Sequence, residues 1–275
     1  MLLILLCLLS LASQEGAAAD PDPRVAVREA YHEAWTGRDA AALTAVWRAK
    51  PALVLSTFDA DLEAGLAAWE AGAEGHEALT AEHFERAVWA AELAAAALDR
   101  PIFGDYAHAF TGWDAEERKR FRRGQAAFGE ANAALREEKA QEARARAAEC
   151  REIAIALGDW WGTAMGLGIE GTALLALERP KEAAVAFARA RLLNHQLGLF
   201  ASEFRALRGL VDALIAADDN VRAIRAANDG LVYARDQGDV SAQRALLDAR
   251  RTAESALDDE AAATSTAAEI AALGQ

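Results

Sequence analysis

Residue types that do chemistry are present in this chain, but they are not spaced to do it together. The five histidines, His32, His76, His83, His108 and His195, have no Cys, Asp or second His at metal-ligand spacing. His76-Glu77 opens like a zincin motif, yet Thr80 stands where the second histidine must be, so neither structural nor catalytic zinc is expected. Gly166, Gly168 and Gly171 fit G-x-G-x-x-G. That motif cradles phosphate only where a strand runs into a helix, and these glycines fall inside a helical stretch, where close packing is their expected role. A nucleophilic cysteine needs an accessible, electropositive position. Cys150 is followed at forty-residue intervals by Ala190 and Gly230, so it occupies a place reserved for small buried residues. No acidic pair stands out by spacing among 43 carboxylates.

Trp35, Trp47, Trp69, Trp89, Trp113, Trp160 and Trp161 are candidates for a ligand platform, but tryptophan in a helical protein usually packs inward while its indole N–H finds a carbonyl or water. The basic run Arg118, Lys119, Arg120, Arg122 and Arg123 reads as a solvated helix face. These readings predict a protein without cofactor and without catalysis.

The elements that must position these side chains are helices. Alanine dominates almost every stretch and only five prolines interrupt 275 residues, so local preference is helical nearly throughout. A 53% hydrophobic content provides for one large core or two modest ones. The net charge of -14 repels phosphate backbones and anionic headgroups, which argues against nucleic acid as a partner.

Residues 1–12 are almost entirely Leu, Ile and Ala, and Ala17-Ala18-Ala19 precede Asp20-Pro21-Asp22-Pro23. Residues 1–19 therefore read as a secretory signal peptide, with the mature chain exported to a periplasmic or extracellular location. The apolar run is shorter than the ~20 residues that span a bilayer as helix, so no integral membrane span is expected in the mature chain. Leu6 precedes Cys7 where a lipobox has a small residue, which argues against a lipid anchor. Without the leader Cys150 is the one remaining cysteine, and no intramolecular disulfide can form.

The second half repeats every forty residues. Leu157-Gly158-Asp159 is followed by Leu197-Gly198-Leu199 and then by Gln237-Gly238-Asp239. In the same register run Ala143, Ala183, Ala223 and Ala263; Ala127, Leu167, Leu207 and Leu247; and Leu135, Leu175, Ile215 and Ser255. A period of this length marks stacked supersecondary units. Each unit reads as two helices: in the second, helix A from about Trp160 to Leu177, a break at Glu178-Arg179-Pro180, and helix B to Gln196. Pro180 suits a first-turn position, where its missing N–H costs nothing. Asp218-Asp219-Asn220 offers capping oxygens at the same place in the third unit. Gly158, Gly198 and Gly238 suit the left-handed cap that closes each helix B.

In the first half, Arg24–Thr36, Asp39–Arg48, Leu53–Glu70 and Ala81–Leu98 read as amphipathic helices without a period. They are broken at Gly37, Pro51, the Gly72–Gly75 stretch and Pro101. Asp114 with Glu117 forms a capping-box-like start for the array. Residues 20–117 are expected to cap the array, because terminal units of stacked repeats leave an apolar end.

Leu167, Gly171, Leu174, Ala183, Phe187 and Ala190 stand at the spacing of the tetratricopeptide repeat, and the chain resembles that family from about residue 118 to 275 in four units. Ala131, Val211 and Arg251 replace the family's glycine in the other units. The resemblance implies an all-α solenoid of antiparallel hairpins forming a right-handed superhelix, with a peptide or protein held in a concave groove. Its helix-A binding positions fall on Gln125, Asn132, Thr172, Arg205, Arg208, Asp212, Asp248 and Thr252. Arg205 and Arg208 share a helix surface, where they would hold a partner's carboxylate or instead pair with Glu203 or Asp212. Long arrays of this kind also resemble those beside CHAT-type peptidase domains, which leaves a regulatory module for a separate enzyme as an alternative, and a small-ligand carrier as another.

Overall fold

A computed structural model describes residues 22–273, so the expected leader at 1–19 lies outside the described residues. Those residues form thirteen α-helices and one short 3-10 turn at Pro51–Leu53, with no strand among them. A first group comprises α1 (Pro23–Gly37), α2 (Ala40–Ala49), α3 (Val54–Ala71), α4 (His76–Leu98) and α5 (Ile102–Gly112). An array follows: α6 (Ala115–Arg136), α7 (Ala140–Leu157), α8 (Trp160–Ala176), α9 (Pro180–Gln196), α10 (Phe200–Ala216), α11 (Asn220–Asp236), α12 (Val240–Ala256) and α13 (Glu260–Ala272). Two differences from the sequence reading stand out. Helix α4 begins at His76 rather than Ala81, and α5 is an additional helix whose Phe103, Tyr106 and Phe110 are buried at helical spacing.

Consecutive helices of the array pack against each other through turns built the same way. After each helix A one acidic residue takes the left-handed conformation: Glu138, Glu178, Asp218 and Asp258, at φ between 57° and 59°. After α7, α9 and α11 the glycines Gly158, Gly198 and Gly238 do so, at φ 70°, 69° and 64°. Both kinds of turn place two N–H groups back on the preceding helix, as in Asp159 to Ala154 O and Gly158 to Ile155 O. This pair of hydrogen bonds satisfies two of the helix's orphan carbonyls. The next helix is then capped by a side chain in several units; Asp159 Oδ1 accepts from the Gly162 N–H at 2.7 Å and Asp239 Oδ1 from the Ala242 N–H at 2.9 Å. Pro180 is the first residue of α9, and both arms of the Asp114–Glu117 capping box are formed.

Replacing Gly158 with valine should destabilise the fold by at least ~1 kcal/mol, since a branched side chain resists positive φ. A Cβ there would also approach Ala109 Cβ to 3.1 Å. Equilibrium denaturation of the variant checks this; an unchanged midpoint contradicts it.

Each helix A also touches the next, α6 to α8, α8 to α10 and α10 to α12, whereas successive B helices stand further apart. The array therefore curls with the A helices inside, and its concave face is theirs.

The first five helices surround a core in which Tyr31, Trp47, Phe58, Phe103, Tyr106 and Phe110 are buried. That core continues through Trp113 and Phe121 into the array and takes in Leu157, the last residue of α7, and Leu197, which follows α9. Trp113 Nε1 donates to Leu157 O at 2.9 Å and Trp47 Nε1 to Ala90 O at 3.1 Å, so both indoles are core residues with a carbonyl partner. The basic run departs from a purely solvated face. Arg118 lies over the Trp69 ring at 4.8 Å, and Arg122 binds Glu63 and Glu70, each at 2.7 Å. Apolar and acidic surface of α3 faces α6 and draws these guanidinium groups inward, while Lys119 and Arg123 remain exposed.

Candidate functional site

The concave face carries a groove of about 690 Å³. Helix α6 contributes Phe128, Asn132 and Leu135, α8 contributes Met165, Gly168 and Thr172, and α10 contributes Phe204, Arg205, Arg208 and Asp212. Helical periodicity explains this assembly. Residues three, four and seven apart lie on one face, and stacking parallel A helices brings equivalent faces together.

Five of the eight sequence-derived positions, Asn132, Thr172, Arg205, Arg208 and Asp212, line this groove. Asn132 Nδ2 and Thr172 Oγ1 donate to carbonyls of their own helices, Phe128 O and Gly168 O. Among the described residues neither Arg205 nor Arg208 forms an ion pair within 4.0 Å; Glu203 is taken by His195 and Arg191 instead. Burial against the groove wall raises the Asp212 carboxyl above its ordinary range, opposed by Arg208. Phe204 stacks on Tyr233 of α11, ring centroids 5.1 Å apart, which fixes an aromatic edge of the groove.

Gln125 lies elsewhere, in the wall of a second cavity, where its Nε2 donates to Glu63 and its Oε1 accepts from Arg122, both at 2.7 Å. Asp248 and Thr252 line neither cavity. Asp248 accepts from Arg251 at 3.2 Å, and Thr252 donates to the Asp248 carbonyl. The groove does not extend along α12, which contributes none of its residues.

The second cavity, about 190 Å³, sits where the first five helices meet the array. Helix α3 supplies Asp59 and Glu63, α5 supplies Tyr106, and Asp159 and Trp161 stand at the start of α8. Tyr106 Oη donates to Asp59 Oδ1 at 2.7 Å. Part of Asp59's surface opens to the cavity, yet the surrounding protein pushes its carboxyl up to about 7 by burial, with Tyr106 opposing and Glu63 and Asp159 adding repulsion. Burial likewise pushes Asp159 up to about 6 against the amides that cap on it. The Cys150 thiol, on the same wall, is pushed up to about 12 by burial and holds no thiolate. Phe128 and Met165 belong to both linings, so the cavity opens from the groove's end.

The sequence reading missed Asp59, Glu63 and Tyr106. Asp159 was visible as a column residue, but its place beside two carboxylates from α3 depends on how the two halves pack.

A scan of protein-family models and a search of curated proteins find no match for this chain. Its fold and groove define an all-α helical solenoid, and no described helix is long and apolar enough to cross a membrane.

Proposed function

We propose that this chain is a noncatalytic, exported scaffold of the tetratricopeptide kind that holds a peptide or protein segment in the groove of its A helices. The observation that carries this reading is the groove itself, with Arg205 and Arg208 side by side on its wall and neither in an ion pair among the described residues. Two adjacent guanidinium groups can each give charge-assisted hydrogen bonds to a carboxylate, and rigid helices present them without reorganisation. The residues behind the resemblance support it: Leu167, Leu174, Ala183, Phe187 and Ala190 are all buried in the packing between hairpins. A groove of mixed polarity lined by three A helices suits an extended segment better than a small apolar ligand, which favours an enclosed pocket.

The test begins with a partner captured from the exported fraction and mapped to a synthetic segment. Replacing Arg205 and Arg208 together with alanine should weaken that segment about ten-fold or more, because hydrogen bonds to charged groups contribute roughly 1.5–3 kcal/mol. The slope of affinity against salt should flatten while the circular dichroism spectrum stays the same. Unaltered affinity and salt dependence would remove the arginine pair from the site.

A further inference from the structure

We infer that the cavity at the junction of the two halves receives a basic side chain, a lysine-like alkylammonium, from the same segment that the groove holds. This rests on the groove reading and adds a direction to it.

Three carboxylates face the cavity, and they are not equally provided for. Glu63 is bound by Arg122 at 2.7 Å. Asp59 receives only the neutral Tyr106 hydroxyl on Oδ1, and its Oδ2 accepts no hydrogen bond among the described residues. Asp159, 6% exposed, is held by backbone amides alone. No Lys, Arg or His approaches either aspartate within 4.0 Å among the described residues. Two carboxylates set into protein without a counter-ion repel each other and lose hydration, and an entering cation relieves both penalties at once.

The cavity's other features select the kind of cation. Its volume is far above the ~10–15 Å³ that admits one water, so an aminoalkyl chain can enter. Phe128, Met165 and Trp161 form an apolar wall for the methylenes, and the aromatic faces suit an ammonium. The shared wall at Phe128 and Met165 connects this acidic end to the stretch of groove bearing Arg205 and Arg208. A segment with a basic residue at one end and a carboxylate further along therefore matches the site in one direction and meets like charges in the other.

The charged and titratable groups facing the cavity are Asp59 and Glu63 from α3, Tyr106 from α5, Arg122 from α6, Cys150 from α7 and Asp159 at the start of α8. Tyr106 and Cys150 are raised by burial and stay neutral between pH 5 and 8. Asp59 at about 7 and Asp159 at about 6 ionise within that window, so a cation binds more tightly as pH rises through it and releases protons when it binds at the acidic end.

The probe is N-acetyl-lysine amide, titrated calorimetrically into the full chain, with N-acetyl-norleucine amide as the uncharged match. The expected result is at least ten-fold tighter binding of the lysine amide at pH 8, an affinity that falls toward pH 5, and proton release at pH 6 measured in two buffers of different ionisation enthalpy. Asp59→Asn, which keeps an acceptor for Tyr106, should weaken the lysine amide about ten-fold and flatten the pH profile, while Arg205→Ala/Arg208→Ala leaves it unchanged. Equal binding of the two amides, no proton release, or full affinity in Asp59→Asn overturns the inference. Because the arginine double variant reads the groove and the lysine amide reads the cavity, either can fail alone.

Discussion

Replacing Asp61 with alanine should destabilise the protein by about 3–5 kcal/mol, the range for leaving one partner of a buried ion pair uncompensated. Asp61 lies on α3 with its side chain 7% exposed, and Arg86 of α4 is 11% exposed. The carboxylate accepts from Tyr31 Oη at 2.6 Å, from Arg86 Nε at 2.8 Å and through a further bond from Arg86 Nη2. His83 Nδ1 lies 2.8 Å from it, and the Nδ1–H tautomer satisfies that contact. Burial alone would raise the Asp61 carboxyl, but the bonds from Arg86, Tyr31 and His83 outweigh it and hold it below the ordinary range. Its contribution is therefore fully present above the unfolded carboxylate value of about 4 and is lost only as pH falls through the lower folded value.

Without Asp61, Arg86 keeps its charge in a largely dry site with only the exposed Glu82, 3.3 Å from its Nη1, as a counter-ion, and the Tyr31 hydroxyl loses its acceptor. Urea denaturation at pH 7 should show the loss, with near-ultraviolet circular dichroism reporting on Tyr31 and the neighbouring Trp47. A double variant, Asp61→Leu with Arg86→Met, should recover much of the stability, because removing both charges removes the uncompensated one. A single variant within 1 kcal/mol of the parent would show that water reaches Arg86 and that the network holds little together.

The second large effect is expected at Gly209. Phe187 of α9 is buried between α8 and α10, and a Cβ placed on Gly209 would lie 2.5 Å from its ring. The ring has no retreat, because Gly171 closes the other side, where a Cβ would lie 2.9 Å away. Gly209→Val must spread two helices or force the ring off its rotamer, which costs roughly 2–3 kcal/mol by the usual scale for overpacked cores. Thermal unfolding should shift down by about 4–10 °C in a chain of this size. Gly168→Ala is the control: nothing lies within 4 Å of its Cβ position, and alanine favours helix, so stability should hold or rise. Shortening the ring, Gly209→Ala with Phe187→Leu, should restore part of what Gly209→Ala alone removes. No recovery would mean that the strain lies in the backbone of α10 rather than against Phe187.

Several features were determined by the sequence itself, and each is local. Helix content follows from alanine and scarce proline, and the forty-residue recurrence of Gly158, Gly198 and Gly238 marks the turns because only a residue without Cβ takes that conformation without strain. The resemblance to the tetratricopeptide repeat pointed to Asn132, Thr172, Arg205, Arg208 and Asp212, and the stacked A helices carry these residues into the groove. The acidic residues that turn left-handed after each helix A, Glu138 to Asp258, were less legible, since Glu and Asp do not announce that conformation as glycine does.

Only the tertiary structure decided the rest. Asp59 and Tyr106 are 47 residues apart, and Tyr31 and Arg86 reach Asp61 from two other helices. Arg122 leaves the solvated face for Glu63 and Glu70, and Asp248 and Thr252 fall outside the groove although they share the helix-A register. None of these follows from periodicity, which fixes the side of a helix a residue occupies but not which helix comes to face it. The first five helices have no repeat to set their neighbours, so the cavity they share with the array arises from long-range packing that leaves no regular trace along the chain.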